Sequence, residues 1–274
     1  MELNKDNLKC YYEYSDQICP FDAILFRDDD YISEMIAVLE KYKLNMNTFT
    51  HIGMVVTSDI LPECTIDNQI FKLKSKKLYV FESTFGYTIP GIIENVKDIS
   101  GKGKFGVQLR ELEKVIPNYI DSQKTKVAWC RLRNNPYRQG NESDEALLKR
   151  RQELKIQFIS FFNDYYNRTY EINPLGLLSS MFTSLRPLRD ERDKLYTKIW
   201  KKINKNAKDV PIVNLQFCSE LIANVWNMIG VIDVDARNYI PMDVFGDSID
   251  HVDRAVDDPI YFKDWGKDAI QYNL

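Results

Sequence analysis

Hydrophobic and polar positions divide the chain into a strand-rich front half and a helix-rich back half. The segment Pro20–Arg27 reads as a short strand entered through a turn. Asp28-Asp29-Asp30 ends it and opens a helix with Ile32, Met35, Ile36 and Leu39 on one face. After a loop around Asn45–Thr48, Phe49–Val56 is an apolar strand containing His51, residues 59–70 read as loop, and Lys77–Thr84 is a further strand. The spacing of those two strands suits an antiparallel pair. Val107–Leu112 reads as a strand running into a helix, and Lys126–Leu132 as another strand. From Asp144 the period becomes helical through Leu147, Leu154, Phe158 and Phe161-Phe162, then breaks into a loop at Tyr165–Tyr170. Residues 174–207 are helical in parts, with Leu195, Ile199 and Ile203 as one stripe of a solvated helix. Leu221, Ile222, Val225 and Ile229 mark a last amphipathic helix that Gly230 stops. Residues 1–19 form a polar, tyrosine-rich leader, and Asn238–Phe245 reads as a loop beneath the last helix. Strands and helices are segregated rather than alternating, which predicts an α+β fold on an antiparallel sheet.

Composition narrows the function classes. With 274 residues the chain can bury a full core, and a formal charge of −3 gives no overall basic excess, so nucleic acid is not an expected partner. Charge is uneven: Lys97–Lys155 is net basic and Gly230–Leu274 net acidic, the pattern of two solvated faces that attract each other. Met1–Asp6 contains no apolar run for a secretory signal, and no window approaches the roughly 20 apolar residues of a membrane span. The five cysteines, Cys10, Cys19, Cys64, Cys130 and Cys218, are odd in number and lack a CxxC pair. That fits free thiols in a reducing, cytoplasmic compartment better than a disulfide framework, and it carries no zinc signature. No cofactor or metal is implied.

Candidate chemistry centres on Cys218, at or just before the first turn of the last helix. The free N–H groups and positive dipole end there favour a thiolate, so the residue is either a nucleophile or a small core cysteine. The chain has two histidines, so the choice of base is short. His51 opens an apolar strand and either points into a cleft as a base or caps the strand. Glu82 interrupts the apolar run Leu78–Phe81 on the partner strand; it is either the group that orients His51 or a solvent-facing glutamate. His251 is the rival base, but it lies among carboxylates in an acidic tail.

Asp22–Phe26, Thr50–Val55, Val80–Ser83 and Phe217–Ile222 together resemble the circularly permuted NlpC/P60 superfamily of papain-like enzymes, in its YiiX-like branch, which includes poxvirus proteins. The resemblance implies a single permuted papain-like domain over 1–274, with an antiparallel sheet or half-barrel packed on helices and inserted helices at about 144–207. It implies Cys218 as nucleophile, His51 as base and Glu82 as orienter, with Gln216 as an oxyanion-hole candidate and Tyr170 and Ser219 lining the cleft. Two features depart from the family pattern: Phe21-Asp22 stands where Gly-Asp is common, and the helical insertion is large. The implied activity is thiol hydrolysis of a peptide or amide. Two alternatives are a lipid acyltransferase or phospholipase, entered through an apolar mouth at Leu175, Leu177-Leu178 and Met181-Phe182, and a binding or virion protein that retains the triad. A viral origin would place it in host cytoplasm or virion.

Overall fold

The sheet that carries the chain's apolar runs is six-stranded and antiparallel throughout. The computed structural model describes residues 9–27, 49–84, 96–102, 106–120, 125–138, 140–166, 218–236, 239, 241–246 and 253–262. In chain order these hold α1 (Lys9–Tyr14), β1 (Ala23–Arg27), β2 (His51–Val56), β3 (Glu63–Ile66), β4 (Gln69–Lys72), β5 (Tyr79–Thr84), β6 (Gly106–Glu111), α2 (Leu112–Val115), α3 (Pro117–Ile120), β7 (Lys126–Cys130), α4 (Asp144–Tyr165), α5 (Cys218–Met228), a 3-10 turn at Pro241–Phe245 and β8 (Ile260–Tyr261). The sheet order is β6-β5-β2-β1-β7-β8, with β3 and β4 forming a separate hairpin. Mixed helix and antiparallel sheet is the α+β arrangement expected from the segregated pattern.

Both faces of the sheet are covered, which is why its strands read as continuous apolar runs rather than strict alternation. On one face Ala23, Leu25, Ile52, Met54, Phe81, Leu109 and Ala128 pack against Leu221, Ile222, Val225 and Trp226 of α5 and Leu154, Phe158 and Phe162 of α4. On the other, Ile24, Phe26, Val55, Val80, Val127 and Trp129 pack with Leu112, Val115, Ile116 and Tyr119. Side chains alternate across a strand, so the two sets come from adjacent positions. Gly230, at φ +73°, ends the α5 region in the left-handed conformation glycine adopts freely. The Ser143 side chain caps α4 by accepting from the Ala146 N–H.

Two expectations change, at residues 59–70 and at Tyr165. Residues 59–70 are not all loop: Asp67 and Asn68, both at positive φ, turn a β3–β4 hairpin whose Cys64 and Ile66 point inward. Within the leader, α1 buries Tyr11 edge-on against Phe262 and sets Tyr14 against Trp129. Tyr165 belongs to α4, extending that helix beyond the expected break and stacking on Phe161. Around Pro241–Phe245 the chain does lie near α5, where the Tyr239 ring meets Trp226 edge-on. The helix expected around Ile32–Leu39, the loop at Asn45–Thr48 and the helical stretch 174–207 lie outside the described residues.

The turn into β1 is held by a buried carboxylate. Asp22 accepts from Cys19 N at 3.0 Å, Trp129 Nε1 at 3.0 Å, Leu132 N at 3.1 Å, Asn135 Nδ2 at 3.0 Å and Arg138 Nη2 at 2.6 Å. Phe21 precedes it at φ 72°, a conformation that suits glycine and costs a β-carbon residue about 1–2 kcal/mol. Its fully buried ring, edge-on to Phe158, offsets that strain.

Gly53 has a different reason. A β-carbon there would stand 2.4 Å from Val80 Cγ2 and 3.3 Å from Glu82 Cβ. Gly53→Ala should destabilise by about 1–3 kcal/mol through overpacking against a buried, β-branched neighbour. Urea denaturation checks this; a change under about 0.5 kcal/mol would mean that β5 moves aside freely.

Candidate active site

The register of three adjacent strands gathers the polar side chains. In β2–β5 pairing Met54 faces Phe81 and Val55 faces Val80, so His51, two residues before Gly53, lies diagonal to Glu82. In β5–β6 pairing Glu82 faces Gln108 and Val80 faces Arg110, which puts Arg110 diagonal to Glu82 from the other side. All three residues share the face of Phe26 and Val80. The gap left at Gly53 lets the imidazole reach across to the carboxylate.

His51 Nε2 lies 2.7 Å from Glu82 Oε2, and the Arg110 Nε and Nη2 donors both lie 2.6 Å from Glu82 Oε1. Arg110 in turn bonds the Tyr119 hydroxyl. The Thr125 hydroxyl donates to Tyr119 O at 2.8 Å and ties down that corner. Phe26 packs between, 5.4 Å from the His51 ring centroid and 4.8 Å from that of Tyr119. Glu82 is wholly buried and the His51 side chain is 12% exposed, so the line is shielded except at its histidine end.

Cys218 completes it. It is the first residue of α5, which packs on β2 and β5, and its sulfur hydrogen-bonds the His51 ring. Since Nε2 is engaged with Glu82, the bond to sulfur falls to Nδ1. The structure thus brings Cys218, His51 and Glu82 together. Ser219 is buried in the same first helical turn. Gln216, Tyr170, the apolar stretch Leu175–Phe182 and the rival base His251 lie outside the described residues. Arg110 and Tyr119 were not anticipated. Alternation in Val107-Gln108-Leu109-Arg110 carried the signal, because it places an arginine inside a sheet covered on both faces, where only a carboxylate partner makes it tolerable.

The charges follow from these contacts. Burial pushes the His51 pKa down, but its charge interaction with and bond to the Cys218 sulfur, and then those with Glu82, outweigh burial and bring it up to about 10. For Glu82 burial pushes up, yet the Arg110 charge and the His51 bond hold its carboxyl below the ordinary value. At neutral pH the line is a carboxylate between guanidinium and imidazolium, with the imidazolium facing sulfur. Among the described residues no three His, Cys, Asp or Glu side chains converge as metal ligands, and no helix is long and apolar enough to cross a membrane.

A pH dependence with a definite sign results. A depressed carboxyl contributes stability above its unfolded pKa, near the ordinary 4.5, and that contribution is lost as pH falls through the lower folded value. Wild type should exceed Glu82→Gln in stability at neutral pH, and the gap should close on acidification below about pH 4.5. Thermal melts of both proteins across that range test it, and a gap that widens in acid would contradict it.

What this geometry can do is set by residue type: a polarised thiol, a histidine able to carry a proton, and a buried group fixing its tautomer form a nucleophile–base–orienter line. In comparisons with known proteins, no family model matches the chain and no curated protein matches it.

Proposed function

We propose that the chain is a cysteine-dependent hydrolase, amidase- or peptidase-like, in the manner of the permuted papain-like enzymes its sequence resembles. One observation carries the reading: Cys218, at a helix start, bonds a histidine that is itself locked by a buried Glu82–Arg110 pair. A structural cysteine needs neither a polarised imidazole nor a four-residue buried polar line to hold it.

In the proposed cycle the Cys218 sulfur attacks the scissile carbonyl carbon, and the carbonyl electrons move onto oxygen. The Cys218 backbone N–H, at the positive end of α5, is suited to receive that oxyanion. As the tetrahedral species collapses, the C–N bond breaks and His51 passes its proton to the departing amine. His51, now neutral, takes a proton from water, whose oxygen attacks the thioester and releases the acid and the thiolate. Glu82 keeps the ring oriented through both halves and stays ionised against Arg110.

Iodoacetamide labelling at about pH 6–7, followed by peptide mapping, tests the reading. Cys218, although buried, should react faster than Cys10 and Cys19, the two cysteines that are partly exposed. A panel of peptide amides, ubiquitin-like conjugates and lipid esters then identifies the acyl donor, with Cys218→Ala as control. A Cys218 that reacts no faster than Cys10 or Cys19, with no substrate separating wild type from control, would sink the proposal.

A further inference from the structure

A solvent-open cavity of about 490 Å³ lies against α4, well away from Cys218. Its size falls in the range of sites for small molecules. The walls come from Ser58 and Asp59 after β2, Tyr137 after β7, and Leu148, Arg151 and Lys155 on α4. His51 opens β2 and Val56 closes it, so the cavity sits beyond the opposite end of that strand, about 17 Å along it from the histidine. The proposed chemistry therefore makes no use of these residues.

One wall is firmly held. Consecutive arginines of α4 grip consecutive carbonyls of the facing loop: Arg151 Nε donates to Tyr137 O at 2.9 Å, and Arg150 Nη2 to Arg138 O at 2.8 Å. The Asn135 side chain anchors that loop in turn, accepting from Tyr137 N at 3.0 Å and donating to Pro20 O at 2.8 Å. The Arg151 guanidinium also lies over the Tyr137 ring, 4.5 Å from its centroid, a cation–π contact that fixes its plane. Its Nε is thus spent on orientation. The Nη1–Nη2 edge of the fork has no hydrogen-bond partner among the described residues. Lys155, one helical turn on and on the same side of α4, has no ion-pair partner among them either. The carboxylate in the lining, Asp59, accepts from the Tyr137 hydroxyl. An arginine pinned with its fork open, four residues from a second uncompensated cation, is preorganised for an oxyanion.

We propose that Arg151 and Lys155 form a binding site for a phosphate group, separate from the Cys218 site. The Arg151 fork takes two phosphate oxygens and the Lys155 ammonium a third. The Ser58 hydroxyl and the Gln152 amide, both in the lining, supply further donors. Two cations match the nearly doubly charged phosphate better than a singly charged carboxylate. Leu148, 66% exposed on the same wall, gives the organic part of a phosphate ester an apolar surface to lie against. Asp59 opposes the anion and keeps the affinity modest.

Calorimetric titration of the full chain with inorganic phosphate and with phenyl phosphate, at low salt, tests the site. Wild type should bind phosphate saturably, with a dissociation constant on the order of 1 mM. Arg151→Gln should weaken binding about tenfold and Lys155→Gln about threefold. Asp59→Asn should tighten it about threefold, because the opposing charge is removed while the Tyr137 hydroxyl keeps an acceptor. Circular dichroism shows that each variant is folded. If loss of the Arg151 bond to Tyr137 O unfolds that wall, the other two variants decide the matter. Phenyl phosphate binding more tightly than inorganic phosphate identifies an ester seated on Leu148; phenyl phosphate binding no more tightly identifies the free ion, and both results support the site. No saturable binding of either probe, or affinities that do not move in the variants, overturns it.

Discussion

Cys218→Ala is expected to abolish turnover, by about 10⁴-fold or more in kcat/KM, on whatever substrate the panel identifies. In the proposed cycle the sulfur carries the acyl group, and the remaining groups are not expected to replace it. His51 would have to activate water from a position shaped for a thiol. The change should cost little stability, because a thiol-to-methyl substitution at the helix start removes one small group at the edge of the core. Loss of activity and retention of fold are therefore separable, by denaturation on one side and by steady-state kinetics with mass-spectrometric detection of an acyl adduct on the other. Turnover persisting within tenfold of wild type would remove Cys218 from the chemistry.

Arg110→Met is expected to destabilise the protein by about 3–5 kcal/mol, the range seen when one member of a buried ion pair is removed. Glu82 Oε1 would lose both of its guanidinium donors inside a wholly buried site. The carboxyl would then take up a proton more readily, and its bond to His51 would weaken. Activity should fall with stability, but for a reason that a double variant exposes. Arg110→Met combined with Glu82→Met replaces both charges by apolar groups and should recover most of the stability, since hydrophobic replacements of buried pairs are often near neutral. It should not recover activity, because His51 has lost its orienting partner. Urea unfolding of the single and double variants decides the matter. A single-variant cost below about 1 kcal/mol would show that water or another donor serves Glu82.

These two expectations depend on residues of unequal visibility in the chain. Cys218 was legible because a cysteine followed by Leu221, Ile222 and Val225 at helical spacing fixes its place at a helix start. His51 and Glu82 were legible because each interrupts or opens an apolar run, and two antiparallel runs in that order place them side by side. Arg110 was not, since a lone arginine in a strand usually faces water, and its burial is set by α2 and α3 covering that face of the sheet. The β3–β4 hairpin escaped for a local reason: its turn uses Asp67-Asn68 without glycine, and β4 is mostly exposed, leaving little apolar pattern to read. Gly53 looked like an ordinary strand glycine. Its purpose, clearance for Val80 and Glu82, is a property of the neighbouring strand and cannot be read along its own.

The central proposal is that the His51 ring is held protonated beside the Cys218 sulfur, with Glu82 and Arg110 behind it. Nuclear magnetic resonance titration of the His51 ring in wild type and Cys218→Ala tests that claim directly, without a substrate, in a chain with two histidines to assign. The prediction is a ring that stays protonated through neutral pH in wild type, titrating far above the ordinary histidine range, and whose pKa drops markedly when the sulfur is removed. A His51 that titrates near the ordinary 6.5 in both proteins would contradict that claim and, with it, the proposed chemistry.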